Sequence, residues 1–91
     1  MFIQIAPQRA MDSSGRIVEV RDRNTVRYID RELTALVEVD FGPLTTGFYP
    51  DTVTFYGSGG IHVDVPMETR EITLSRLEEG LNCLGIRYEV L

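Results

Sequence analysis

Five carboxylates between residues 38 and 68, Glu38, Asp40, Asp51, Asp64 and Glu68, are the side chains whose type and spacing raise a question of chemistry first. Paired carboxylates catalyse glycoside cleavage when a cleft holds them at set distances. Nothing in this spacing imposes such a distance, and a chain of 91 residues leaves little room for a cleft. No calcium-loop pattern is present. The remaining reading is an exposed acidic face that a basic partner recognises.

Four other groups invite chemistry. His62 is the sole histidine and stands two residues from Asp64, on the same face of a strand. A histidine–carboxylate pair orients a general base. A hydrolytic triad also needs an activated nucleophile, and neither Ser58 nor Thr54 carries a supporting motif. An enzyme built on His62 is thus the weakest of the functional readings. One histidine and one cysteine are too few ligands for zinc. Gly57-Ser58-Gly59-Gly60 resembles a phosphate-cradling loop only in composition. Such loops lead from a strand into a helix, the P-loop adds a lysine, and this chain has none. Cys83 is placed at a helix C-terminus, the wrong end for lowering a thiol pKa, and is expected to act as a small hydrophobe. Phe48 and Tyr49 lie in a Gly/Pro-bounded stretch beside Asp51. They either anchor an interface or cap the core.

Charge is distributed unevenly. All nine basic residues are arginine, and six fall within residues 1–31, against four acids there, giving +2. Residues 32–91 hold three arginines and ten acids, giving −7 and the overall −5. Between Arg31 and Arg70 there is no fixed positive charge. The N-terminal arginines alternate with Asp12, Glu19, Asp22 and Asp30, which predicts a locally cancelled field and a poor anion site. Nucleic-acid binding is disfavoured accordingly. The arginine-only usage carries no geometry and supports no DNA contact.

Length and composition predict one globular domain over residues 1–91, with 43% apolar and 25% charged residues. The single cysteine excludes an internal disulfide and fits a reducing compartment. MFIQIAPQRAMD lacks the charged n-region and apolar run of a signal peptide, and no stretch approaches a membrane span. The expectation is a cytoplasmic protein without metal or cofactor.

The elements that must position these residues read as follows. Residues 2–6 form a short strand stopped by Pro7, and residues 8–15 a loop rich in turn formers. Ile17–Val20 and Thr25–Ile29 form a hairpin. Leu33, Ala35, Val37, Val39 and Phe41 alternate with polar residues along a further strand, with Leu36 the exception. Gly42-Pro43 ends it, and residues 42–51 read as a loop. Thr52–Tyr56 and Ile61–Val65 make a second hairpin around the glycines. Leu74, Leu77, Leu81 and Leu84 mark one stripe of a helix over about 74–84. Ser75–Glu78 fits a capping box, with Thr73 as a competing N-cap. Gly85 and Ile86 suit a Schellman terminus. Gly80 costs that helix about 1 kcal/mol relative to alanine, which suggests a close neighbour. Residues 86–91 alternate as a final strand.

The order predicts an α+β domain: a mostly antiparallel sheet of five or six strands, one C-terminal helix packed on a face, and a final strand 86–91. The functional expectation is a non-catalytic protein-binding module presenting Glu38, Asp40, Phe48, Tyr49, Asp51, Asp64 and Glu68 to a basic protein partner. Small acidic inhibitors of the immunity or phage counter-defence type work this way as a physical class. The alternative is a structural subunit that homo-oligomerises through the edge of strand 86–91.

Overall fold

The computed structural model describes residues 1–91 as one curled sheet with a single long helix on its inner face. Strands β1 (Phe2–Ala6), β2 (Arg9–Asp12), β3 (Ile17–Asp22), β4 (Thr25–Asp30), β5 (Leu33–Phe41) and β6 (Thr46–Tyr56) pair with their chain neighbours, all antiparallel. The far side of β6 is shared. Its C-terminal end pairs with the two-residue β7 (His62–Val63), and its N-terminal end takes β8 (Tyr88–Val90) in parallel. Helix α1 (Met67–Cys83) connects these last two strands.

The α+β expectation holds: a mostly antiparallel sheet carries one helix and ends in a final strand. The sheet has eight strands, one of them unforeseen, and another is longer than expected. Residues 9–12 form β2 rather than loop, because Ala10 drops its methyl into the core and Arg9 finds a cross-strand partner in Glu19. Thr46–Tyr49, expected as loop, open β6 instead of preceding it. Pro50 lies inside that strand at a wide irregularity. Leu36 pairs with Thr54 and Glu38 with Tyr49, so residues 50–53 bulge out beside Val37. A bulge accommodates a residue without an amide hydrogen in a sheet interior.

The helix starts seven residues before Leu74. Pro66, extended at φ −60°, precedes the first turn, which carries Glu68, and neither Thr73 nor Ser75 caps it. Its first two turns lie largely exposed and carry no apolar stripe to read. The C-terminus follows the sequence signal. The Gly85 amide donates to the Asn82 carbonyl and the Ile86 amide to the Leu81 carbonyl, both at 3.0 Å, with Gly85 at φ +74°. That is the Schellman geometry.

Alternation assigns the two sheet faces. Val18, Val26, Tyr28, Ala35, Val37, Val39, Phe48 and Phe55 turn inward and are buried, together with Leu77 and Leu81 of α1. Burying each leucine stabilises the fold by about 1.5–3 kcal/mol. Gly80 lets the helix backbone settle on Val18 of β3. A second set of contacts fastens the helix to the strand ends. Arg76 Nη1 donates to the Tyr28 hydroxyl at 3.1 Å, the hydroxyl donates to Asp30 Oδ2 at 3.3 Å, and Arg16 joins Asp30 to Asp12. No buried side-chain polar atom lacks a hydrogen-bond partner. No helix is long and apolar enough to cross a membrane.

Candidate acidic surface

The outer face of β5 carries Thr34, Leu36, Glu38 and Asp40, opposite in register to Tyr56, Thr54, Tyr49 and Gly47 of β6. Residues directly opposite in an antiparallel pair share a face. Glu38 and Tyr49 are therefore neighbours, and the Tyr49 ring lies over Gly47, the register partner of Asp40. With Asn24 at the tip of the β3–β4 hairpin, these three side chains line a shallow depression of about 380 Å³. The Asn24 carbonyl accepts the Val39 amide at 2.9 Å and fixes the hairpin tip there.

The β6 bulge adds a wall. Thr52 Oγ1 accepts the Glu38 amide at 2.8 Å and donates to the Tyr49 carbonyl at 2.7 Å. One hydroxyl thus supplies the ladder contacts that the bulge removes. Asp51 stands exposed at this bulge, next to the segment that holds Glu38.

The six acids of the lysine- and arginine-free stretch, Glu32, Glu38, Asp40, Asp51, Asp64 and Glu68, are all exposed, and none enters an ion pair. Three of the six arginines of the first third are paired instead. Arg9 and Arg27 grip the buried Glu19, and Arg16 grips Asp12 and Asp30. The uneven charge of the sequence survives folding as a difference in pairing.

The expected site residues do not all come together. Glu38, Asp40 and Tyr49 meet in the depression, and Asp51 is exposed on the adjoining bulge without lining it. Asp64 lies beyond β7 and Glu68 in the first turn of α1, so neither lines the depression. The expectation that the acids share one exposed side is thereby narrowed to the first group. Phe48 is a correction: it is fully buried and meets Tyr88 edge-on at 5.7 Å, so it belongs to the core and offers nothing to a partner. Its neighbour Tyr49 points the other way because successive strand residues alternate. The Arg70 side chain donates to the Pro50 carbonyl at 3.4 Å, which brings a cation near the bulge that linear sequence kept away.

His62 makes no hydrogen bond or ion pair with Asp64 and sits edge-on to Tyr56 at 6.0 Å. Ser58–Gly60 form a single 3₁₀ turn closing the hairpin. Cys83 is half-buried against the core. No group of three or more His, Cys, Asp or Glu side chains converges to hold a metal ion. Sequence reasoning missed the Glu19 cluster and the Asp12–Arg16–Asp30 network, because both depend on β2, which alternation did not reveal.

Comparison with protein-family models, with curated proteins and with solved structures found no match.

Proposed function

We propose that this chain is a non-catalytic protein-binding module whose surface around Glu38, Asp40, Tyr49 and Asp51 docks a basic protein partner. The observation that carries the reading is the absence of ion pairs among the six exposed acids of residues 32–69, against the pairing of three of the four acids of residues 1–31, Asp12, Glu19 and Asp30. Unpaired like charges repel each other within the fold and gain only when a cationic surface covers them. Tyr49 adds a half-exposed aromatic ring of the kind that concentrates binding energy at interfaces. An inhibitor that covers the basic surface of another protein, of the immunity or counter-defence type, is the biological role that suits such a surface.

The test is affinity capture with the intact protein and with a Glu38→Arg/Asp40→Arg variant, each at low salt and at about 1 M salt, where the screening length falls to about 3 Å. A partner held by the native chain at low salt, and lost both in the variant and at high salt, supports the reading. A partner retained under all conditions, or no partner, removes it.

A second reading rests on β8. Only one edge of this strand is hydrogen-bonded, to β6, and Val90 and Leu91 are exposed at its end. An open edge is a template for another strand. Association through it predicts a concentration-dependent size by light scattering, which Val90→Pro suppresses, because the amides of Tyr88 and Val90 face the open edge while Glu89 bonds to β6. A monomer at every concentration excludes it.

A further inference from the structure

Interleaved acids in the sequence predict that the N-terminal arginines cancel. The fold separates them instead. Asp12 and Asp30 turn to the Arg16–Arg76 network at the strand ends, and Asp22, at the end of β3 by the hairpin turn, stays near Arg21 without forming an ion pair. What remains on the outer face is a depression of about 590 Å³ whose charged walls are Arg9, Arg21 and Arg27, with Glu19 as its sole acid.

Glu19 is the organiser of this place. Its carboxylate is 5% exposed, although it sits on the face away from the core. Arg9 Nε donates to Oε1 at 2.8 Å and Arg27 Nε to Oε2 at 2.6 Å, with Arg27 Nη2 on the same oxygen. Register explains the arrangement: Arg9, Glu19 and Arg27 are direct cross-strand partners on β2, β3 and β4. Both oxygens of the carboxylate are therefore occupied. Both Nη groups of Arg9 and Nη1 of Arg27 keep their donors free, because their guanidiniums are held by the other nitrogens. Arg21, two residues along β3 on the same face, makes no ion pair at all.

We propose that Arg9, Arg21 and Arg27 form a binding site for a phosphate dianion, with Glu19 fixing two of the three guanidiniums in advance. Within the depression three cations surround one buried carboxylate, while Asp22 lies close enough to Arg21 to offset part of its charge, so directed guanidinium donors rather than net charge hold the phosphate. Planar guanidinium donors match the oxygens of a tetrahedral anion. Preorganisation by Glu19 removes much of the side-chain entropy that loose surface arginines lose on binding. The site stands apart from Glu38 and Asp40, so it and the protein-docking reading succeed or fail separately. Free phosphate and a phosphate monoester share this chemistry. The neighbouring depression, which Arg21 and Arg27 also line with Glu32, Leu36 and Tyr56, offers space for the uncharged organic part of an ester.

The experiment follows the arginine Nε–Hε signals of the intact protein by nitrogen-15 NMR during titration with inorganic phosphate at constant ionic strength, with chloride as control. A second titration uses adenosine monophosphate. Saturable shifts at Arg9, Arg21 and Arg27 are expected, weakened about tenfold by Arg21→Gln, the size of one charge-assisted contact. Arg23→Gln, outside the depression, leaves the affinity unchanged. Arg21 is exposed and unpaired, so its replacement leaves the fold intact, which the melting temperature checks. Tighter binding of the monoester names an ester as the ligand; equal binding names free phosphate. Shifts that never saturate, that chloride reproduces, or that survive Arg21→Gln unchanged overturn the proposal and leave Arg9 and Arg27 as clamps on Glu19 alone.

Discussion

Gly80 of α1 rests directly on Val18 of β3: a Cβ built on the glycine would lie 2.5 Å from the valine Cβ and within 2.7 Å of both its methyl groups. Carbon atoms do not pack that closely. Val18 is fully buried and β-branched, so it cannot swing aside as the end of a long chain would. This contact sets the height of the helix above the sheet.

Gly80→Ala is therefore expected to destabilise the protein, against helix propensity. Propensity alone favours alanine by about 1 kcal/mol. Overpacking a rigid contact costs about 1–3 kcal/mol, and here the obstacle is three atoms of one side chain. The expected net effect is a loss of about 1 kcal/mol or more in urea unfolding. The Val18→Ala/Gly80→Ala double variant should recover part of it, a coupling that a double-mutant cycle isolates. A gain in stability for Gly80→Ala alone contradicts the packing described here.

Acid should unfold the protein through Glu19 and Asp12. Burial pushes the Glu19 carboxyl up, but the hydrogen bonds and charges of Arg27 and Arg9 outweigh it and hold its pKa below the ordinary value. Asp12 follows the same pattern: burial raises it, and the Arg16 amide and guanidinium together with the Ser14 amide bring it below the usual range. Both carboxyls bind protons more weakly in the folded chain than in the unfolded one. Their stabilisation is present above the unfolded pKa values, near 4, and is lost as pH falls through the lower folded values. Thermal melts should thus change little from these two groups between about pH 8 and 5 and drop below about pH 4. Glu19→Gln keeps the shape, gives up the charge, and should lose about 1–2 kcal/mol near neutral pH while flattening the acid limb. An unchanged acid limb in that variant would show that Glu19 is not the titrating group.

Phe48 and Tyr49 are adjacent in sequence and opposite in role. Phe48→Ala empties a fully buried site and removes the edge-on contact with Tyr88, so about 3–5 kcal/mol of stability should go. The loss should show first at β8, through faster amide exchange at Leu91, whose amide donates to the Phe48 carbonyl. Tyr49→Ala should leave stability within about 1 kcal/mol and weaken the partner complex instead. Reversal of the two effects would exchange their assignments.

Legibility of the fold in the sequence followed burial. Leu33–Val39 was readable because every second residue there meets the core, although Phe41, expected on the same face, is exposed; the Leu77–Leu81 part of the helix was readable because it lies on the sheet. The turns of α1 before Thr73 have no such stripe, since they overhang into solvent. Strand β2 is only four residues long and is specified by what it pairs with: Ala10 beside Val18, and Arg9 beside Glu19. Neither relation is visible along the chain. In sequence residues 42–51 read as a loop before a strand at Thr52, whereas in the structure the Thr52 hydroxyl bridges the break and β6 runs through Pro50. Glu38 and Asp40 were legible as one face of β5, whereas Tyr49, which joins them in the depression, lay in a stretch the sequence read as loop.

The acidic surface itself makes the last prediction. Glu38 and Asp40 are exposed, lie on the solvent side of β5 and take part in no ion pair, so replacing both with arginine removes no intramolecular attraction. Two arginines repel each other as the two acids did, so the pair interaction is unchanged, and stability should shift by no more than the roughly 0.5 kcal/mol typical of surface sites. Binding should respond far more. Rim charges steer the encounter, so the association rate with a basic partner should fall most, and the fall should vanish as salt is raised. Asp64→Arg and Glu68→Arg, away from the depression, serve as the comparison: they change net charge equally but should leave most of the rate intact. If all four positions act alike, net charge rather than this surface guides the partner, and the local geometry around Tyr49 has no part in recognition.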